Sequence, residues 1–126
     1  MTETSTIDQI QVITVGEQGP PGAGIPAHVN AQTGTSYTFA LSDNYSPVTA
    51  NNSASQTYTI PSNAAVPFPN GSFIDVYVLG TGHLTLAINS DTLLSVGGAL
   101  TIAVQNGHAR IQKITPTVWI AAGNLS

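Results

Sequence analysis

The chain carries three histidines, His28, His83 and His108, and no cysteine. Metal sites draw their ligands from Cys, His and carboxylates, often at short repeated spacings. None of the three histidines lies two or four residues from another histidine or a carboxylate. His83 and His108 each sit beside a glycine turn, and all three read as surface loop residues. The lack of cysteine excludes disulfides, thiolate metal sites and thiol nucleophiles together, and leaves the redox compartment open. A Ser-His-Asp hydrolase needs an activated serine, and no Gly-x-Ser-x-Gly turn presents one. Glycoside cleavage needs two acids on facing elements. Beyond residue 25 the acids are Asp43, Asp75 and Asp91. Asp75 falls in a strand pattern, where it is expected to face solvent or blunt a sheet edge. No glycine loop precedes a helix pattern, so nothing marks a phosphate cradle. The expectation is a protein that is not an enzyme, with no catalytic, cofactor-binding or metal-ligating residue.

Arg110 and Lys113 are the only basic residues. Three apart in one strand pattern, they must point to opposite faces. They read as solvated charges; a carboxylate contact, within the chain or to a neighbouring subunit, is the functional alternative. Trp119 lies in a terminal strand pattern with apolar neighbours and reads as core. The functional alternative is an indole that stacks on a sugar, with Tyr45 and Tyr77 as companions.

Two basic residues among 126 exclude nucleic-acid binding, which needs several phosphate contacts. They also exclude a polybasic membrane anchor. No apolar run reaches the length of a membrane span. Residues 1–6 show neither a basic n-region nor an apolar h-region, so they are not read as a secretory signal. Charged residues make up 6% of the chain and the net charge is −4, while the AVILMFWYC set reaches 41%. That hydrophobic share builds a core and argues against charge-driven disorder. So little surface charge has two readings. Either much of the surface is covered in an assembly, or Thr, Ser, Asn and Gln keep a neutral β surface wet.

The elements fall into three parts: residues 1–15, 16–24 and 25–126. Residues 7–15, Ile-Asp-Gln-Ile-Gln-Val-Ile-Thr-Val, are rich in β-branched side chains and read as one strand. Gly16, Gly19 and Gly22 then recur every third residue, with Pro20 and Pro21 between them. This is the pattern of a collagen triple helix, in which only glycine fits at the axis. Three triplets are too few to hold three chains alone. They form either one turn of triplex between domains already held together or a stiff linker.

From Ile25 onward apolar residues alternate with polar ones. The runs are 37–41, 58–60, 73–79, 84–88, 100–104, 111–114 and 118–120. Asn70-Gly71, Gly80-Thr81-Gly82, Gly97-Gly98 and Asn106-Gly107 separate them as turns. Residues 42–56 read as a polar loop, and Pro61, Pro67 and Pro69 as loop or edge. Asn106-Gly107 is expected to close a two-residue type I′ hairpin. Short strands at regular spacing predict an all-β fold, a small antiparallel sandwich or barrel behind an extended N-terminal arm.

The run Ile10 to Gly22, Ile-Gln-Val-Ile-Thr-Val-Gly-Glu-Gln-Gly-Pro-Pro-Gly, is similar to a junction common in tailed-bacteriophage structural proteins. There a short strand leads into a brief collagen-like stretch. Residues 58–71, 74–82 and 118–126 resemble a small β domain of phage fibre and decoration proteins. The resemblance covers about residues 10–22 and 56–126. It implies a virion structural protein, often trimeric, and carries over no catalytic residue. With one arm and one domain, the chain is expected to decorate the outer surface of a capsid. Ile7, Ile10, Val12, Ile13 and Val15 would attach to the major capsid protein by strand addition. Gly16, Gly19, Pro20, Pro21 and Gly22 would form the contact within a homotrimer. The rival expectation is a tail-associated fibre module that binds a host surface glycan.

Overall fold

A computed structural model of the chain describes residues 28–126. The expected attachment strand 7–15 and the glycine triplets 16–24 lie outside the described residues. Among the described residues ten strands occur in the order β1 (Asn30–Gln32), β2 (Ser36–Thr38), β3 (Pro47–Ala50), β4 (Gln56–Ile60), β5 (Phe73–Val78), β6 (Leu84–Ile88), β7 (Thr92–Leu94), β8 (Thr101–Ile102), β9 (His108–Thr115) and β10 (Val118–Gly123). Short 3-10 turns at Leu41–Asp43 and Val96–Gly98 are the helical segments among the described residues.

Two sheets result: six strands ordered β1-β3-β5-β9-β10-β7, and four ordered β2-β4-β6-β8. From β1 to β8 each successive strand changes sheet. A chain that crosses over at every turn returns to each sheet running in the same direction. Hence β1, β3 and β5 pair in parallel, as do β2, β4 and β6, and β7 lies parallel to β10. Only β5–β9, β9–β10 and β6–β8 are antiparallel among the described pairings. The all-β expectation therefore stands, as two separate sheets. The antiparallel part of it is corrected: the first six strands form a flattened solenoid of three windings.

The corners between windings stack as well. Asn51 N–H donates to Gln32 O (3.0 Å), and Gly82 N–H to Asn52 O (2.9 Å). This explains Gly82: a Cβ there would stand 1.9 Å from Ala54 O. The backbone of one winding approaches the next too closely for any side chain.

The core fills the space between the sheets. Val48, Ala50, Ile74, Val76, Val78, Ala109, Ile111, Trp119 and Ala121 enter it from one sheet, and Tyr58, Ile60, Leu84, Leu86 and Ile102 from the other. Their alternation along each strand is what sends them all inward. The outer residues of the four-stranded sheet are mostly hydroxylic. Ser36, Thr57, Thr85 and Thr101 stand in one register across all four strands, and Thr85 and Thr101 hydroxyls lie 3.2 Å apart.

Asn106-Gly107 does not close a hairpin. Asn106 has φ +65° and Gly107 is not in the left-handed region. Gly107 N–H donates to Val104 O (3.1 Å), so the turn spans 104–107 with its positive φ at the third residue, as in type II. It passes the chain from β8 in one sheet to β9 in the other. The true two-residue hairpin is β9–β10, through Pro116-Thr117 with a register shift between Lys113 and Thr115. Residues 42–56, expected as loop, contain β3, whose Val48 and Ala50 are fully buried.

Candidate functional site

Two groups of chemistry-bearing side chains lie on β9, one on each face. On the outer face His108, Arg110 and Gln112 stand opposite Tyr77, Asp75 and Phe73 of β5. Arg110 grips Asp75 with both arms: Nε donates to Oδ1 (2.9 Å) and Nη2 to Oδ2 (3.0 Å). His108 Nε2 is 2.9 Å from the same Oδ1, and its ring stacks on Tyr77 at 4.5 Å. The Arg110 guanidinium also lies 3.9 Å from the Phe73 ring centre, and Phe73 meets Tyr45 edge-on at 5.1 Å. Asp75 is therefore on a central strand, between β3 and β9, and blunts no edge. Arg110 is partnered rather than simply solvated, and His108 opens a strand rather than sitting in a loop. His28 and His83 are exposed outside the strands, as expected.

Arg110 first, and His108 after it, hold the Asp75 carboxyl below the usual carboxylate range, while partial burial opposes them. A carboxylate with a depressed pKa in the fold adds stability above its unfolded value, about 3.9, and loses it as pH falls through the folded value. Asp75→Asn is expected to cost about 0.2–1 kcal/mol at neutral pH, because the pair is partly exposed. In urea unfolding the gap between the two proteins should close as pH drops below about 4. A gap that persists at low pH would mean the cost comes from packing.

The inner group is built on Lys113. It is only 1% exposed, so its expected solvation is corrected. The opposite-face argument held: Arg110 points out and Lys113 in. Lys113 Nζ donates to Asn63 Oδ1 (2.6 Å) and to Phe68 O (2.8 Å). It lies 6.0 Å from the Trp119 ring centre, and Phe68 meets that indole edge-on at 5.3 Å. Trp119 is 1% exposed, so it is core and offers no sugar platform. Asp91 Oδ2 accepts the backbone N–H of Asn63 (2.8 Å). Burial pushes the Lys113 pKa down, and the Asp91 charge partly opposes this. Sequence reasoning missed this group because a lysine on a two-residue alternation can face either way. The polar loop that meets it is 50 residues earlier.

A third polar group fastens the first winding. Asp43 is fully buried and accepts from Tyr37 Oη (2.5 Å), Asn30 Nδ2 (2.9 Å) and Ala40 N–H (2.8 Å). Burial, and then Asp43, push the Tyr37 hydroxyl up to about 12, so it stays a donor at any ordinary pH.

Beyond the Asp75 group the outer face of the six-stranded sheet is largely apolar. Ile120 stands opposite Gln112 and Leu94, and both Ile120 and Leu94 are exposed, as are Ile114 and Tyr77. A shallow hollow on this face is lined by Arg110, Gln112, Ile114, Ile120 and Ala122. Among the described residues no three His, Cys, Asp or Glu side chains converge as metal ligands. No protein family, curated protein or solved structure matches the chain.

Proposed function

We propose that the chain is a capsid decoration protein of a tailed bacteriophage. It acts as a homotrimer held on the outer shell, where it bridges and stabilises capsomers of the major capsid protein. Residues 7–15 form the anchor, residues 16–24 the three-chain junction, and the β domain projects.

The observation that carries this reading is how the domain disposes of its charge. Asp75 is closed by Arg110, and Asp43 and Asp91 accept internal hydrogen bonds. Lys113 is buried. Little fixed charge remains to steer an ionic ligand or to be screened by salt. What the six-stranded sheet offers instead is exposed apolar surface at Tyr77, Leu94, Ile114 and Ile120. Such a face suits contact with another protein surface. Five residues, 25–29, separate the last triplet from β1. They reach at most about 18 Å, so three domains on one junction must adjoin. The tether raises the local concentration of each face, which lets modest contacts hold.

A glycan-binding tail module is the second reading, and exposed Tyr45 and Tyr77 are what favour it. Counting copies per purified particle by gel densitometry separates the two. Decoration expects a number on the scale of the capsomers. A handful of copies, found with the tails, would replace it with the second reading.

A further inference from the structure

We propose that Tyr45 of one copy seats in a hollow on β9 and β10 of the next copy, closing the homotrimer into a ring. This rests on the homotrimer reading and names the surface through which the three β domains meet. The outer face of the six-stranded sheet carries one row of side chains across its strands. Phe73 stands opposite Gln112, Gln112 opposite Ile120, and Ile120 opposite Leu94. Tyr45 extends the row beyond Phe73, whose ring it meets edge-on at 5.1 Å. One end of the row is therefore aromatic and the other aliphatic, with a single amide between. A ring of three closes only through heterologous contacts, in which one patch meets a different patch. This row supplies both.

Tyr45 is held out as a projection. Its φ is +63°, a backbone conformation that bulky side chains seldom adopt. Its N–H donates to Phe73 O (2.8 Å), and Phe73 N–H donates to Asn44 Oδ1 (3.2 Å), which fixes the turn. The side chain still stands 46% exposed. The hollow is lined by Arg110, Gln112, Ile114, Ile120 and Ala122 and holds about 160 Å³. Small-molecule sites start at roughly 300 Å³, so this one suits a single side chain better than a free ligand. Its lining fits a phenol. Ile114, Ile120 and Ala122 give the ring an apolar floor. Arg110 uses Nε and Nη2 on Asp75, which leaves Nη1 to donate to the phenol oxygen. Gln112 Oε1 can accept the hydroxyl proton.

Charge and reach select a second copy as the occupant. A chain of net charge −4 repels its own copies. The Arg110–Asp75 pair leaves this face neutral, so copies meet here with least repulsion. The chain outside the described residues enters at β1, the edge strand on the aromatic side of this same sheet. Four strand spacings separate β1 from β10, which is about 19 Å. Two tethers of about 18 Å each span that offset between neighbours. The contact is one row on each copy, small beside a stable interface, so it holds only together with the junction.

Sedimentation of the full chain at micromolar concentration is the first test. Wild type is expected as three chains of 12.9 kDa. Tyr45→Gly keeps the backbone comfortable at positive φ, and Ile120→Asp places a charge in the hollow. Each, folded by circular dichroism, should associate roughly tenfold more weakly or worse. Thr57→Asp, on the outer face of the other sheet, should remain trimeric. The second test places the photo-crosslinker p-benzoylphenylalanine at position 45 in mixed isotopically heavy and light copies. Illumination should join heavy to light chains at Ile114, Ile120 or Ala122. A wild-type protein that sediments as one chain ends the homotrimer reading itself. A wild-type trimer that Tyr45→Gly and Ile120→Asp leave intact overturns this inference alone. So do crosslinks confined to single chains or mapped away from the hollow. Trimeric variants that lose binding to shells, or to a host glycan, would give the face to that occupant instead.

Discussion

A chain lacking residues 1–24 is expected to keep its fold and to lose both trimer and shell binding. The hydrophobic core from Phe39 to Ala121, with Tyr37 and Leu125 packed against it, is built from described residues downstream of the cut. The first winding is fastened by Asp43 to Asn30, Tyr37 and Ala40, also downstream. On the proposed reading, the cut removes the anchor strand together with the linkage that turns three weak contacts into one avid one. Such linkage multiplies apparent affinity by about 10² to 10⁴, so attachment should fall by at least a hundredfold. Sedimentation should give a single 12.9 kDa chain, less the deleted residues, where the intact protein gives three. In co-sedimentation with undecorated shells the truncated chain should stay in the supernatant. A truncated chain that binds shells as the intact one does would place the anchor on the β domain and end the arm reading.

The second large effect is expected at the centre of the core. Trp119→Ala should cost about 3–5 kcal/mol in urea unfolding. The indole is 1% exposed, lies edge-on to Phe68, and forms one wall around Lys113. Truncation leaves a cavity that Phe68 cannot fill alone, because its loop is tied to Lys113 through Phe68 O. If unfolding moved by less than about 1 kcal/mol, the indole would not be the packing centre described here.

The strands themselves were legible. Ile74, Val76 and Val78 face inward, and Phe73, Asp75 and Tyr77 outward, as their alternation requires. Leu84 and Leu86 do the same. Their partners were not legible. A two-residue period reports which face is buried but not which strand lies alongside, nor in which direction it runs. That is why a winding with parallel neighbours was expected as an antiparallel sandwich or barrel. β3 escaped notice because Pro47 and Thr49 give its outer side no apolar contrast, although Val48 and Ala50 are fully buried. Asn106-Gly107 carried a true turn signal, but local chemistry cannot tell a turn within one sheet from a crossing between two.

Arg110 and Lys113 were separable by parity, and the sequence could not say which one faced in. The answer depends on Asn63 and Phe68, distant in the chain and silent as a motif. The Asp75 pairing likewise needed the β5–β9 register, which sets Asp75 opposite Arg110. No spacing along one strand encodes that.

The hydroxyl row of Ser36, Thr57, Thr85 and Thr101 gives the four-stranded sheet a different character from its partner. Each side chain holds first-layer water by donating and accepting without ionising. A particle clothed in such modules, hydroxyl side outward, would stay dispersed through its hydration layer. Its drift in an electric field would remain that of the shell beneath.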